Sequence, residues 1–324
     1  MLKSFTRCWK PLVVASVLFT VALAKAQNDS TPTANTTPPS NAAPPASAAP
    51  QPKAPDNQTK SVVAPRTGVL HPHYNPSLPT LFLIGDSTVK NGRDTGSDGL
   101  WGWGHPLAAY FDPAKINVEN QALGGTSSRT YLTAGHWDRV VALLKPGDFV
   151  MMQFGHNDGG GPNGRGSLRG TGDETKDAPA DANINGSPET VHTYGWYLRK
   201  YIADIKAKGA TPIVCSLIPR NEWTDGKVRR AKDTYAGWAA GVAQQEGALF
   251  IDLNSIIADH YDMLGQDAVK PFFPKEHTHT AWHGALLNAQ SVIEGIKAQP
   301  DFPLNKFLSA DPHPTKPATD PTDG

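Results

Sequence analysis

Five short apolar runs recur along the middle of the chain: TLFLIG at 80–85, INVENQAL at 116–123, DFVMMQFG at 148–155, TPIVCSLI at 211–218 and ALFIDL at 248–253. Each is nearly continuous in apolar character, as strands buried on both faces are. Between them lie helix-like stretches, clearest at 190–209 and 233–247, with a last one over 281–299. The first two end on a glycine, a common helix C-terminal signal. Strands alternating with helices predict an α/β domain with a central parallel sheet covered by helices on both faces. In such sheets chemistry gathers beyond the carboxyl ends of the strands. The loops after each run are therefore the places to search.

Outside this alternating region the pattern disappears. Residues 1–26 open with Lys3, Arg7 and Lys10, continue as PLVVASVLFTVALA and reach AKA before Gln27. A basic start, a short apolar core and small residues at a cleavage site predict a secretory signal peptide, and the apolar run is short for a membrane span. Residues 27–79 are dominated by Ala, Pro, Thr, Ser, Asn and Gln, and the tail 311–324 has the same character. Both read as disordered segments, because they cannot bury enough surface to offset their ordering entropy. The folded domain is expected over 80–310, in a protein secreted or exported to the periplasm, without membrane insertion.

Charge and cysteine content narrow the partners. With 30 basic and 30 acidic residues the formal net charge is zero, unlike a nucleic-acid binder with its basic excess. Removal of the first segment would take Cys8 away and leave Cys215 alone. One cysteine forms no internal disulfide, and in an apolar strand it reads as a small core hydrophobe.

Four strand ends and loops carry candidate chemistry. GDSTV at 85–89 follows the first run and places Ser87 between an acid and a threonine. Asp and Ser are common capping residues, so this turn either caps or presents a nucleophile. GGTSSRT at 124–130 follows the second run, GHND at 155–158 the third, and EHTHTAWHG at 276–284 precedes the last helix. Acyl transfer needs a nucleophile, a base and oxyanion donors. Ser87, a histidine from 277–283, the backbone N–H of Gly125 and the amide of Asn157 can fill those roles, with Glu276 holding the imidazole. Taken singly, the glycines can serve a turn, Asn157 and Asp158 can cap, and His279 can sit on the surface. His277, His279 and His283 could also ligate a metal, but no HExxH accompanies them. No G-x-S-x-G pentapeptide surrounds a serine either, which argues against an α/β-hydrolase elbow.

Together these blocks resemble the SGNH (GDSL-type) hydrolases, and most closely the rhamnogalacturonan acetylesterase family. The stretches that carry the resemblance are LIGDSTV, GWG at 102–104, GGTSSRT, QFGHNDGG and FFPKEHTHTAWHGA, and it covers roughly residues 80–300. The resemblance implies a flavodoxin-like three-layer α/β/α sandwich and a serine esterase that needs no cofactor. It makes Ser87 the nucleophile, Gly125 and Asn157 oxyanion donors, and His279 the base. The family's acid falls on position 276, where aspartate is the pattern and this chain has glutamate. Either the loop adjusts to the extra methylene or the acid's contribution is weakened.

The implied substrate is an acetylated plant cell-wall polysaccharide, foremost pectic rhamnogalacturonan, acted on by a monomer. Another acylated carbohydrate such as xylan, a lipase or thioesterase of the same fold, and a non-catalytic sugar-binding relative are the alternatives. The long polar insertion at 159–187 speaks against an apolar acyl pocket, and Arg165 and Arg169 within it can pair with a galacturonate carboxylate. The same insertion can equally be a solvated loop. Trp101, Trp103 and Trp223 can stack on sugar rings, although Trp103 in GWG also suits packing beneath the nucleophile turn.

Overall fold

The computed structural model describes residues 67–180 and 186–317. The proposed signal peptide, residues 27–66 of the proposed linker and the end of the tail lie outside the described residues. The strands are β1 (Thr80–Gly85), β2 (Asn117–Asn120), β3 (Phe149–Gln153), β4 (Thr175–Ala178), β5 (Glu189–His192), β6 (Thr211–Cys215), β7 (Trp223–Thr224), β8 (Lys227–Val228) and β9 (Leu249–Ile251). The helices are α1 (Gly104–Leu107), α2 (Ser128–Thr133), α3 (His136–Val141), α4 (Tyr194–Ala207), α5 (Tyr235–Gln245), α6 (Leu253–Leu264), α7 (Gln266–Val269) and α8 (Trp282–Lys297).

The five apolar runs form one parallel sheet in the order β2-β1-β3-β6-β9. This is the doubly wound flavodoxin-like order, in which ligands bind where the winding reverses, between the first and third strands. Successive residues alternate between the two faces. Leu81, Leu83, Met151, Ile213 and Cys215 pack with Ile257 and Tyr261 of α6 and Val292 and Ile296 of α8. Phe82, Ile84, Val150, Met152 and Val214 meet Tyr131, Trp137, α4 and α5 on the other side. Each fully buried aliphatic or aromatic side chain contributes roughly 1.5–3 kcal/mol, so the two covered faces make this an α/β/α sandwich. Cys215 is a buried free thiol whose pKa burial pushes up.

The boundaries differ from expectation in three places. Helix α4 starts at Tyr194, because Thr193 caps it by accepting from the backbone N–H of Trp196, and the residues before it pair as β5 with β4. Residues 67–79, expected in the disordered linker, are folded against the edge strand. Asn117, Glu119 and Gln121 in and just after β2 accept from the backbone N–H groups of Asn75, His71 and Gly68 at 2.7–3.2 Å. This segment covers a sheet edge that would otherwise be open to pairing. It is held mainly by side-chain-to-backbone hydrogen bonds, with Leu70 as its apolar contact to the core, so composition did not reveal it. Residues 311–317 of the tail are also placed, with the Lys316 amine 5.9 Å from the Trp101 ring centroid.

The GWG motif is a close-approach device. The backbone N–H groups of Trp103 and Gly104 donate to the carbonyls of Thr88 and Val89 at 3.1 and 3.2 Å. A Cβ on Gly102 would lie 2.3 Å from the Val89 carbonyl carbon. Gly102→Ala is therefore expected to lower stability by about 3 kcal/mol through overpacking. Gly241, in α5 with open space around it, is the contrast. Gly241→Ala should raise stability by about 0.8 kcal/mol through helix propensity. Urea unfolding of both variants tests the pair; equal effects of one sign would contradict this reading of the two sites.

Candidate active site

The turn after β1 is closed by Asp86. Its Oδ1 accepts from the backbone N–H and the hydroxyl of Thr88, both at 2.8 Å. The acid thus does the capping and leaves the Ser87 hydroxyl free. Beneath the turn runs a buried polar chain. Gln153, the last residue of β3, accepts from the Trp103 indole at 2.8 Å and donates to the Thr88 hydroxyl at 2.7 Å. Every side chain in that chain is buried, so the nucleophile turn rests on fixed hydrogen bonds. This places Trp103 under the turn, away from any sugar face. Trp101 is buried edge-on against Trp282 and is likewise no stacking platform, while half-buried Trp223 donates its indole N–H to Asn221.

Ser87 meets a histidine 192 residues away: its Oγ lies 2.7 Å from His279 Nε2. His279 Nδ1 lies 2.7 Å from Glu276 Oε1. An ionised carboxylate only accepts, so Nδ1 carries the proton and Nε2 is the acceptor for the serine O–H. Glu276 Oε1 also accepts from the backbone N–H of His279 at 2.7 Å, and Oε2 from that of Thr278 at 2.8 Å. Partial burial raises the pKa of Glu276, but these hydrogen bonds lower it further, leaving it below the ordinary glutamate value. From its own loop the Glu276 carboxylate thus reaches the imidazole and two backbone donors. Both ring nitrogens of His279 are thereby engaged. His277 Nε2 is 2.8 Å from the Arg220 guanidinium, and His283 is exposed on α8.

The loop after β2 closes over the same point. The backbone N–H of Leu123 donates to the Gly85 carbonyl at 3.0 Å and the Thr126 hydroxyl donates to the Leu123 carbonyl at 2.8 Å. Gly125 has φ +78°, which favours glycine. A Cβ on Gly124 would stand 3.7 Å from that of Ser87, so the two loops are in contact. Asn157 Nδ2 donates one of its hydrogens to the Thr126 carbonyl at 2.9 Å, and the second remains a donor. Asp158 is structural: its buried carboxylate accepts from Ser128 N at 3.2 Å and from Ser167 Oγ at 3.0 Å.

The insertion is anchored to this frame. Arg129 is fully buried, paired with both carboxylate oxygens of Glu189 at 2.9 and 3.0 Å, and donates to the carbonyls of Pro162, Gly164 and Gly166. Arg165 donates to the Gly125 carbonyl at 2.8 Å, and the Arg169 guanidinium lies 5.2 Å from the Trp238 ring centroid. Residues 181–185 lie outside the described residues. A cleft of about 760 Å³ lies between the 69–74 segment and α1 and contains neither Ser87 nor His279.

Residues 83–281 match the GDSL-like lipase/acylhydrolase family. The chain belongs to that family. It is a carboxylic ester hydrolase, in keeping with its similarity to curated esterases. A rhamnogalacturonan acetylesterase of Emericella nidulans is 33% identical over 220 residues, spanning 67% of this chain and 84% of the relative. A probable rhamnogalacturonan acetylesterase of Bacillus subtilis, YesY, is 29% identical over 67% of this chain and 92% of its own. Among solved structures, Bacillus subtilis YxiM shares the fold with a TM-score of 0.57 at 24% identity, over 69% of this chain and 58% of that one.

Sequence reasoning named the acid before Ser87 only as a capping candidate and missed the roles of Thr88 and Gln153. Gln153 had a readable signal, a lone amide ending an otherwise apolar central strand. Burial raises the pKa of Asp86 from 3.8 to about 6, with Oδ2 unbonded and Thr88 holding Oδ1. The unfolded chain therefore ionises at lower pH than the native one, and this residue's contribution to stability falls as pH rises from about 4 to about 6. At 1.36 kcal/mol per unit the loss is about 3 kcal/mol. Asp86→Asn keeps an acceptor for Thr88 and does not titrate, so its stability relative to the parent should increase by about that amount between pH 4 and pH 7. Urea unfolding at the two pH values measures the difference; a constant offset would contradict the prediction.

Proposed function

We propose that the protein is a secreted carbohydrate acetylesterase that removes acetyl groups from a plant cell-wall polysaccharide, specifically pectic rhamnogalacturonan. The observation that carries this reading is the Ser87–His279–Glu276 chain of two 2.7 Å hydrogen bonds at a sheet switch point. The names of the Emericella and Bacillus relatives support the substrate. Among the described residues no helix is long and apolar enough to cross a membrane. All five proposed site residues belong to one chain, so a monomer suffices.

In this mechanism Ser87 Oγ attacks the acetyl carbonyl carbon while His279 Nε2 takes the hydroxyl proton. Negative charge develops on the carbonyl oxygen, and the N–H groups of Gly125 and Ser87 and the Asn157 amide donate to it. Glu276 keeps the proton on Nδ1 and stabilises the imidazolium that forms. Collapse of the tetrahedral species transfers the Nε2 proton to the departing sugar oxygen and leaves acetyl-Ser87. Water, deprotonated by His279, then releases acetate and restores the serine. His279 and Glu276 are half open to solvent, which gives water access for this second step.

Acetate release from acetylated rhamnogalacturonan, xylan and mannan in parallel tests the substrate. Rhamnogalacturonan should be preferred, and folded Ser87→Ala should lose nearly all turnover; substantial residual activity would remove Ser87 from the mechanism. Asn157→Ala should lower kcat by about 10²–10³ with little change in KM, since the oxyanion exists mainly in the transition state. A raised KM with normal kcat would make Asn157 a ground-state binder. Glu276→Asp withdraws a carboxylate that reaches three donors, so kcat should fall, and Glu276→Gln should cost up to about 10⁴ by favouring the wrong tautomer. Full activity in both would leave a Ser–His dyad.

A further inference from the structure

A second cleft, of about 500 Å³, is lined by His156, Arg220, Glu222, Asp233, Thr234 and Asn254. It adjoins the proposed machinery covalently: His156 precedes the oxyanion donor Asn157, and Arg220 touches His277, two residues before His279. Two of its features have no role in the chemistry described above.

The first is Arg220. Its guanidinium donates to neutral groups, His277 Nε2 at 2.8 Å and the His156 carbonyl at 3.4 Å. Among the described residues no carboxylate lies within ion-pair distance of it, whereas Arg129, Arg199, Arg229 and Arg230 each have one. Two acids line the cleft, Glu222 and Asp233, and Glu222 is engaged by Arg229 at 3.3 Å. The second is His156. Both ring nitrogens are shielded from solvent and neither makes a hydrogen bond. Burial, with the Arg220 charge beside it, lowers its pKa to about 3, so the ring is neutral in ordinary buffers and offers one donor and one acceptor.

A guanidinium without a carboxylate partner in this cleft describes a ligand that brings a carboxylate, and the neutral His156 ring beside it adds no competing charge. We propose that this cleft is a uronate subsite: Arg220 pairs with the carboxylate of a hexuronate unit adjoining the acetylated sugar. The assignment rests on the reading of the neighbouring site as an acetylesterase of an acidic polysaccharide. It moves the carboxylate-recognising arginine from Arg165 and Arg169, which are tied to Gly125 and stacked on Trp238, to the loop after β6. A guanidinium is suited to this task because its fork matches both carboxylate oxygens. A neutral backbone such as xylan would leave that charge without a partner and bind less well.

The test uses the full chain carrying Ser87→Ala, so that binding is read without turnover. Calorimetric titration compares trigalacturonate with its fully methyl-esterified form. The acid should bind at least about tenfold more tightly, the scale of a charge-assisted hydrogen bond. Adding Arg220→Gln should bring the two affinities within about twofold, and Arg220→Lys should retain part of the preference. Because the quantity read is a ratio within one protein, general loosening around His277 cancels. Equal binding of acid and ester to the Ser87→Ala protein, or a preference that survives Arg220→Gln, would overturn the subsite. Failure of the broader reading shows up elsewhere, as no acetate release from acetylated rhamnogalacturonan by the unmodified enzyme.

Discussion

Two hydrogen bonds join the ends of the proposed machinery. The backbone N–H of Trp101 donates to the Thr280 carbonyl at 2.8 Å, and the Thr280 hydroxyl donates to the Trp101 carbonyl at 2.9 Å. Thr280 is buried, so neither bond competes with water. Trp101 also leads into GWG, whose backbone is bonded to Thr88 and Val89. The histidine loop is thus tied to the nucleophile turn through an intermediary strip. Without it, the 2.7 Å approach of Ser87 to His279 would depend on two solvent-facing side chains holding each other in place.

The sheet supplies the other half of that geometry. Reversal of winding between β1 and β3 opens a crevice at their carboxyl ends, and Ser87 and Asn157 stand on its two sides. Gln153 bridges the strands below by bonding both Thr88 and Trp103. Such a buried polar chain stabilises only when its members are satisfied. Asp86 is the member left incomplete, with Oδ2 unbonded and a raised pKa. That is a stability cost located directly beside the proposed nucleophile, where strained or unsatisfied groups tend to be retained.

The insertion after GHND is a wall of the site. Arg129 and Asp158 hold it at its base with buried, charge-assisted hydrogen bonds, and Arg165 reaches back to Gly125.

Local sequence determined the sheet and the order of its chemistry. Short apolar runs bounded by turn residues and alternating with helices read as strands of a parallel sheet, and Ser87, Gly125 and Asn157 follow β1, β2 and β3 in the chain. Helices α1, α2 and α3 were not legible, because four to six residues are too few for a helical period to show. Nor was the anchoring of residues 67–79, which depends on polar side chains of an edge strand far along the chain. The burial of Trp101 and Trp103, the meeting of Ser87 with His279 and the lack of a carboxylate partner at Arg220 were decided by tertiary structure. Each is a relation between a side chain and groups brought near it by folding. A residue's type sets which bonds it can make, but only the packed chain decides which partners are within reach.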